Sequence, residues 1–217
     1  EACQYRDIFD EVPGMKVALP HGGKGDAINN PIWYDPTELH LLSATAFRVH
    51  AGKAHEYPAR YINTAMFRWE VDGTVIFYNN THLNSHIEVA GRPRPLPRVR
   101  LSSEHFNDLA DRMKGDAKGY SLAFCGGDFN VDEDADNRVD FSGFPSAIFH
   151  KYGIESIYDE LHTPKSFKTH DNRKIDVIAS YKGDGRVKAK RVERIDTSIL
   201  HTDHDAICGT YAIRTPG

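Results

Sequence analysis

The chain has 217 residues, of which 40% are apolar, 11% aromatic and 27% charged, a composition that fits a folded globular domain and excludes disordered, collagen-like and disulfide-scaffold proteins. Lys and Arg total 27 against 31 Asp and Glu, a formal charge of −4, so any nucleic-acid contact must be local and not spread over the surface. No apolar run approaches the ~20 residues that span a bilayer, and a single domain over residues 1–217 is expected for this length.

Tyr5, Ile8 and Phe9 share one helical face that Pro13-Gly14 ends, which predicts a short first helix. Residues 31–36, around Trp33-Tyr34, read as a loop between prolines. Two β-rich segments, Tyr61 to Trp69 and Thr74 to His82, join through Asp72-Gly73, a strong hairpin signal. Next comes a proline-rich connection that carries Arg92, Arg94, Arg98 and Arg100 and reads as an extended basic loop. Val99, Phe106, Leu109, Ala110 and Met113 mark an amphipathic helix closed by Gly115, and Leu122 to Cys125 is a short apolar strand emptying into Gly126-Gly127-Asp128-Phe129-Asn130. Ile175 to Ile178 reads as a buried strand, Val187 to Ile195 as a charged edge strand and Ala206 to Ile213 as the last strand. Strands outnumber helices without strict alternation, so an α/β domain of stacked sheets flanked by helices is expected.

Cys3, Cys125 and Cys208 are odd in number and lack paired or metal-type spacing, which favours reduced thiols and a reducing, cytoplasmic compartment. Glu1 opens the chain without an initiator methionine or a signal peptide, as expected of a piece of a longer protein.

Four polar clusters stand at strand ends: Asn80-Thr81-His82, Gly127-Asp128-Phe129-Asn130, Lys174-Ile175-Asp176 and Thr202-Asp203-His204-Asp205. One Asp in a loop is ordinarily a turn residue or a cap. Four clusters in this order, each with its strand, instead suggest a constellation assembled on one rim of a sheet.

In these motifs, with Ser166-Phe167 ahead of Lys174-Ile175-Asp176, the chain resembles the endonuclease/exonuclease/phosphatase superfamily, which includes deoxyribonuclease I. The resemblance implies a four-layer α/β/β/α sandwich of two packed mixed sheets flanked by helices. It implies metal-dependent hydrolysis of a phosphate ester, with a nuclease or phosphodiesterase as the first reading. A phosphomonoesterase or sphingomyelinase-type phosphodiesterase is the second. It further makes Glu1 a metal-binding glutamate followed by a helix and an Ile32-Trp33-Tyr34 strand, and gives His204 a carboxylate partner in Asp176. The family's first strand, which carries an asparagine, precedes that glutamate; without it, a non-catalytic binding module is the remaining alternative.

The chemistry asks for such residues. A phosphate ester repels nucleophiles, so a hard cation on carboxylates must neutralise it; magnesium, with manganese as substitute, fits Glu1 and then Asp203 as ligands. Asp128 suits the activation of water, with Asn130 fixing water or phosphate. His204 would raise its basicity or stabilise the transition state as a cation, and His82 would donate to the phosphate or the leaving group. Arg60, Asn80, Arg92 and Arg94 complete the expected substrate contacts, with nucleic acid as the expected polymer, no membrane partner and a monomeric state. Residues 21–25 read as a surface loop, and Asp132-Glu133-Asp134-Ala135-Asp136 as a solvated acidic loop that fails the calcium-loop pattern. No cluster offers three His or Cys ligands, so zinc is not expected to be required.

Overall fold

The computed structural model describes residues 12–20, 29–85, 87, 96–134, 146–183, 185–198 and 202–214. The expected helix at Tyr5–Phe9, together with Glu1, Cys3, the 21–25 loop, Arg92 and Arg94, lies outside them.

The main sheet has six strands in the order β3-β4-β5-β6-β8-β7, formed by β3 (Leu39–His50), β4 (Arg60–Trp69), β5 (Val75–His82), β6 (Leu122–Asp128), β7 (Ile154–Ser156) and β8 (Asp176–Tyr181). β5 and β6 run parallel and the other neighbours antiparallel, so the sheet is mixed. The Asp72-Gly73 turn closes the β4–β5 hairpin, with Gly73 at φ 78°, a conformation that favours glycine.

Side chains alternate across the strands. On one face, Ile62, Phe77, Ala123, Cys125, Val177 and Ala179 pack with Val99, Phe106, Leu109, Ala110 and Met113 of helix α1 (Leu96–Asp116) and with Phe149 of α2 (Ser146–Tyr152). The rings of Phe106, Phe129 and Phe149 meet edge to face at 5.2–5.9 Å, a favourable aromatic geometry. A short α3 (Ile157–Glu160) follows β7, capped by Ser156, whose hydroxyl accepts the Asp159 N–H.

The opposite face carries a second β layer in two pieces. β1 (Lys16–Ala18) pairs with β2 (Ile32–Tyr34) and covers Ala44, Ala65 and Phe67. β9 (Val187–Ile195) pairs with β10 (Ala206–Ile213), and Val187, Tyr211 and Ile213 cover Leu122 and Phe124. This is the mixed α/β architecture expected from the motifs.

Three readings change. Residues 32–34 are a strand, as the resemblance implied, and not part of the loop read between Pro31 and Pro36, because Trp33 lies opposite Val17 in the β1–β2 pair. The basic connection ends earlier than expected: residues from Leu96 onward are helix, with Pro97 in the first turn, where its missing N–H costs nothing. Arg98 donates to the carbonyls of Ser85 and Glu56, tying α1 to the body.

The described part of the acidic loop, Asp132 to Asp134, is not solvated. Asp132 is 2% exposed and accepts the Lys174 N–H at 3.1 Å, while Asp134 Oδ1 holds the buried Lys174 ammonium at 2.9 Å. A buried cation needs such a partner, and Lys174 supplied the reason these acids fold inward.

Candidate active site at one rim of the main sheet

Register sets the site. His82, the last residue of β5, stands opposite Asp128, the last of β6, which stands opposite Asp176, the first of β8. Paired residues project to the same face, so three strand ends present His82, Asp128 and Asp176 side by side. Gly127 makes the closeness possible: at φ 142° it lets β6 approach β5 where a Cβ would stand 1.8 Å from the Thr81 carbonyl oxygen. Behind the rim, Thr81 donates to Tyr61 O at 2.8 Å and accepts from His105 Nε2 at 2.7 Å, pinning the residue before His82 to α1.

The side chains then close on one another. His82 Nε2 is 3.3 Å from Asp128 Oδ2. Asn130 donates its backbone N–H to Asp128 Oδ1 at 2.8 Å and its side-chain amide to Asp128 Oδ2 at 3.1 Å and to Leu83 O at 3.0 Å. Asn130 sits at φ 55°, a left-handed conformation that Asn tolerates better than most residues. His204 donates from Nδ1 to both oxygens of Asp176, at 2.9 and 3.1 Å, leaving Nε2 on the ring edge away from Asp176. Asp176 is itself set by Thr169 Oγ1, which accepts the N–H groups of Ile175 and Asp176 at 3.2 and 3.1 Å.

These neighbours move the protonation equilibria apart. Burial and the adjacent Asp176 push the Asp128 carboxyl up to about 6. The hydrogen bond from His204 to Asp176 raises the His204 imidazole. Burial, with the Arg60 charge, holds His82 far below its ordinary value, so His82 is neutral. Opposed shifts within one cluster are the mark of sites that divide acid and base work.

Arg60 opens β4 and donates from Nε to Asn84 Oδ1 at 3.3 Å. Among the described residues it lines, with Asn29, Asn30, Tyr61 and His82, a cavity of about 200 Å³ beside the rim. Asn80 shares the rim face, but its amide donates to Pro31 O at 2.9 Å, which anchors β2's approach. Asp203 is 77% exposed and its Oδ2 accepts from His170 Nε2 at 3.0 Å.

His170 escaped the sequence reading. Its ring lies 4.5 Å from that of His204, and the backbone of residue 170 bridges that of 204. No local motif announces it; the pattern arises from a turn in which Arg173 N donates to His170 O and His170 N to Arg173 O.

The rim supplies mainly oxygen donors, and two of its carboxylates stand close enough for the charge of Asp176 to raise Asp128. A hard divalent cation relieves such like-charge crowding and takes oxygen ligands, so the residues present fit magnesium or manganese.

The mixed six-stranded sheet, with helices on one face and a second β layer on the other, has the fold of solved endonuclease/exonuclease/phosphatase structures. Solved structures carrying that description, from Bacteroides thetaiotaomicron and Bacteroides vulgatus, match it. A mannosyl-6-phosphatase from Bacteroides thetaiotaomicron aligns with a TM-score of 0.66 at 15% identity, over 97% of this chain and 82% of its own. The catalytic domain of human Nocturnin with bound sulfate gives 0.62 at 16% identity, over 97% and 78%. D. rerio TDP2 complexed with a single-strand DNA product gives 0.57 at 15%, over 96% and 89%. No family model matches the sequence and no curated protein matches it.

Proposed function

We propose that the chain hydrolyses phosphate esters with a divalent cation, magnesium or manganese, using the rim of His82, Asp128, Asn130, Asp176 and His204. The observation that supports this most is the in-register row of His82, Asp128 and Asp176 with His204 seated on the last of them. The solved structures with this fold include a phosphatase and a protein complexed with a DNA product, which agrees with the reading.

Each side chain has a task. Asp128, with its carboxyl near 6, is a better proton acceptor near neutrality than an ordinary carboxylate and takes the proton of the attacking water. Asn130 fixes the direction of that carboxylate. His204, oriented and made more basic by Asp176, donates from Nε2 to a phosphoryl oxygen and stabilises the charge that grows there. His82 is neutral and offers an N–H to a phosphoryl or leaving-group oxygen. Glu1 and Asp203 would hold the cation, which when bound neutralises the phosphoryl oxygens and the leaving alkoxide. Arg60 adds a guanidinium suited to phosphate.

The cavity beside His82 supports a reading of the alcohol side of the substrate. About 200 Å³ lined by Asn, Arg and Tyr side chains suits one polar ring or small polyol, which favours a compact ester. A nucleic-acid diester is the second reading, supported by the DNA product in the TDP2 structure and by the arginines at 92 and 94.

Turnover of a phosphomonoester, a simple phosphodiester and single-stranded DNA in magnesium tests the reading. Asp128→Ala, His204→Ala and His82→Ala should each lose at least ~10²-fold on the preferred substrate, the scale of positioned acids, bases and donors. Near-normal rates in three folded variants would overturn the assignment.

A further inference from the structure

We propose that His170, Asp203 and His204 form a site for a divalent transition metal of the zinc type, and that its occupation switches the rim off. The ligand atoms of these three residues all lie within 4.8 Å of one another. Two imidazoles and a carboxylate are the donors zinc prefers, with bonds of about 2.0–2.2 Å. Tetrahedral geometry at that bond length separates neighbouring ligand atoms by about 3.3 Å. His170 Nε2 and Asp203 Oδ2 already stand at 3.0 Å, so they part only slightly to admit an ion, and the exposed Asp203 side chain can adjust to bring all three ligand atoms into range of it.

The surroundings are those of a metal-binding histidine pair. His204 gives its Nδ1–H to Asp176, which fixes the tautomer whose Nε2 lone pair lies on the ring edge away from Asp176; ligating histidines characteristically have such a carboxylate behind them. His170 has the same arrangement in prospect. Its Nδ1 is 3.1 Å from Arg173 Nη2 and 3.6 Å from Asp171 Oδ2. A guanidinium can only donate, so in the metal-free chain Nδ1 accepts from Arg173 and the proton sits on Nε2, directed at Asp203. Metal binding requires that proton to move to Nδ1, where Asp171 stands to receive the hydrogen bond and Arg173 must turn away. Arg173 therefore opposes the metal and Asp171 supports it.

The site shares Asp203 with the place proposed for magnesium, and its two imidazoles set it apart, since magnesium binds imidazole poorly in competition with zinc. Its consequence rests on the function proposed above: zinc on His204 Nε2 removes the lone pair and N–H that the phosphoryl oxygen needs.

The test has a reading independent of activity. Cobalt(II), added to the full chain in excess magnesium, should give the intense visible absorption of a four-coordinate site and be displaced by zinc. His170→Ala should lose that band and weaken zinc binding by at least ~10-fold, whereas Arg173→Ala should tighten it, in keeping with the size of outer-partner effects on metal affinity. Unchanged zinc affinity in His170→Ala, or a cobalt spectrum of six-coordinate type only, overturns the site. Zinc should also inhibit hydrolysis by the wild-type chain more strongly than by His170→Ala. Equal inhibition beside an intact, His170-dependent cobalt band would leave the metal site standing and overturn its control of the rim.

Discussion

At the scale of single residues, the pair of His204 and Asp176 is where local chemistry and function meet. The hydrogen bond to Asp176 raises His204, so the imidazolium persists to higher pH than in a free histidine and is lost as pH rises through the raised value. Asp128, raised to about 6 by burial and by Asp176, becomes a base only as pH climbs past that point. The rate should therefore rise through the Asp128 ionisation and fall through that of His204, a bell whose limbs both depend on Asp176. Asp176→Asn removes a charge that lifts both groups, so both limbs should move to lower pH while the maximum falls. A slower enzyme with an unmoved profile would show that Asp176 does not tune the pair. His82, Asp128, Asn130, Asp176 and His204 were legible as candidates because each stands at or within two residues of one end of a strand that the sequence marks. His170 was not, since its approach to Asp203 and His204 depends on a turn with Asp171 at φ 48° and on a contact spanning 33 residues.

At the scale of elements, the strands that carry the site were readable and those that merely extend the sheet were not. β5, β6 and β8 have no exposed position and are rich in apolar residues, the pattern of interior strands. β3 went unread although it has 12 residues, because it lies at the edge and its side chains are mostly half-exposed or exposed, which blurs a two-residue period. The segment after β6 misled for a different reason: three acids in a row suggest a solvated loop until the buried Lys174 is known. Asp134 bridges Lys174 and Lys168, each at 2.9 Å. Asp134→Ala leaves the Lys174 charge buried and should cost about 3–5 kcal/mol. Lys174→Met keeps the volume and leaves Asp134 paired with Lys168, so it should cost distinctly less. Urea denaturation of the two variants decides the matter, and the reverse order would mean that the pair does not hold this segment in place.

At the scale of the whole molecule, the layers explain why clusters as far apart in sequence as His82 and His204 come to one rim. The helical layer anchors Thr81 through His105 and buries the alternate residues of β5 and β6, so the other alternate set, ending in His82 and Asp128, faces the second β layer. The turn before β10 delivers His204 to Asp176 across that interval, fixed by Asp205 N donating to Thr169 O at 2.7 Å and by the bond from Thr197 to the His204 carbonyl. The rim is a rigid product of both layers, as a preorganised centre requires. On the proposed reading a hard cation supplies the positive charge that the rim lacks, and no serine or cysteine stands in the row of His82, Asp128 and Asp176 to act as a nucleophile in its place. The most direct measurement is therefore hydrolysis of a phosphate ester by the full chain after treatment with chelator and again after magnesium or manganese is restored. Activity should vanish with the cation and return with it, in wild type but not in Asp128→Ala. Full hydrolysis in the presence of chelator would contradict the account.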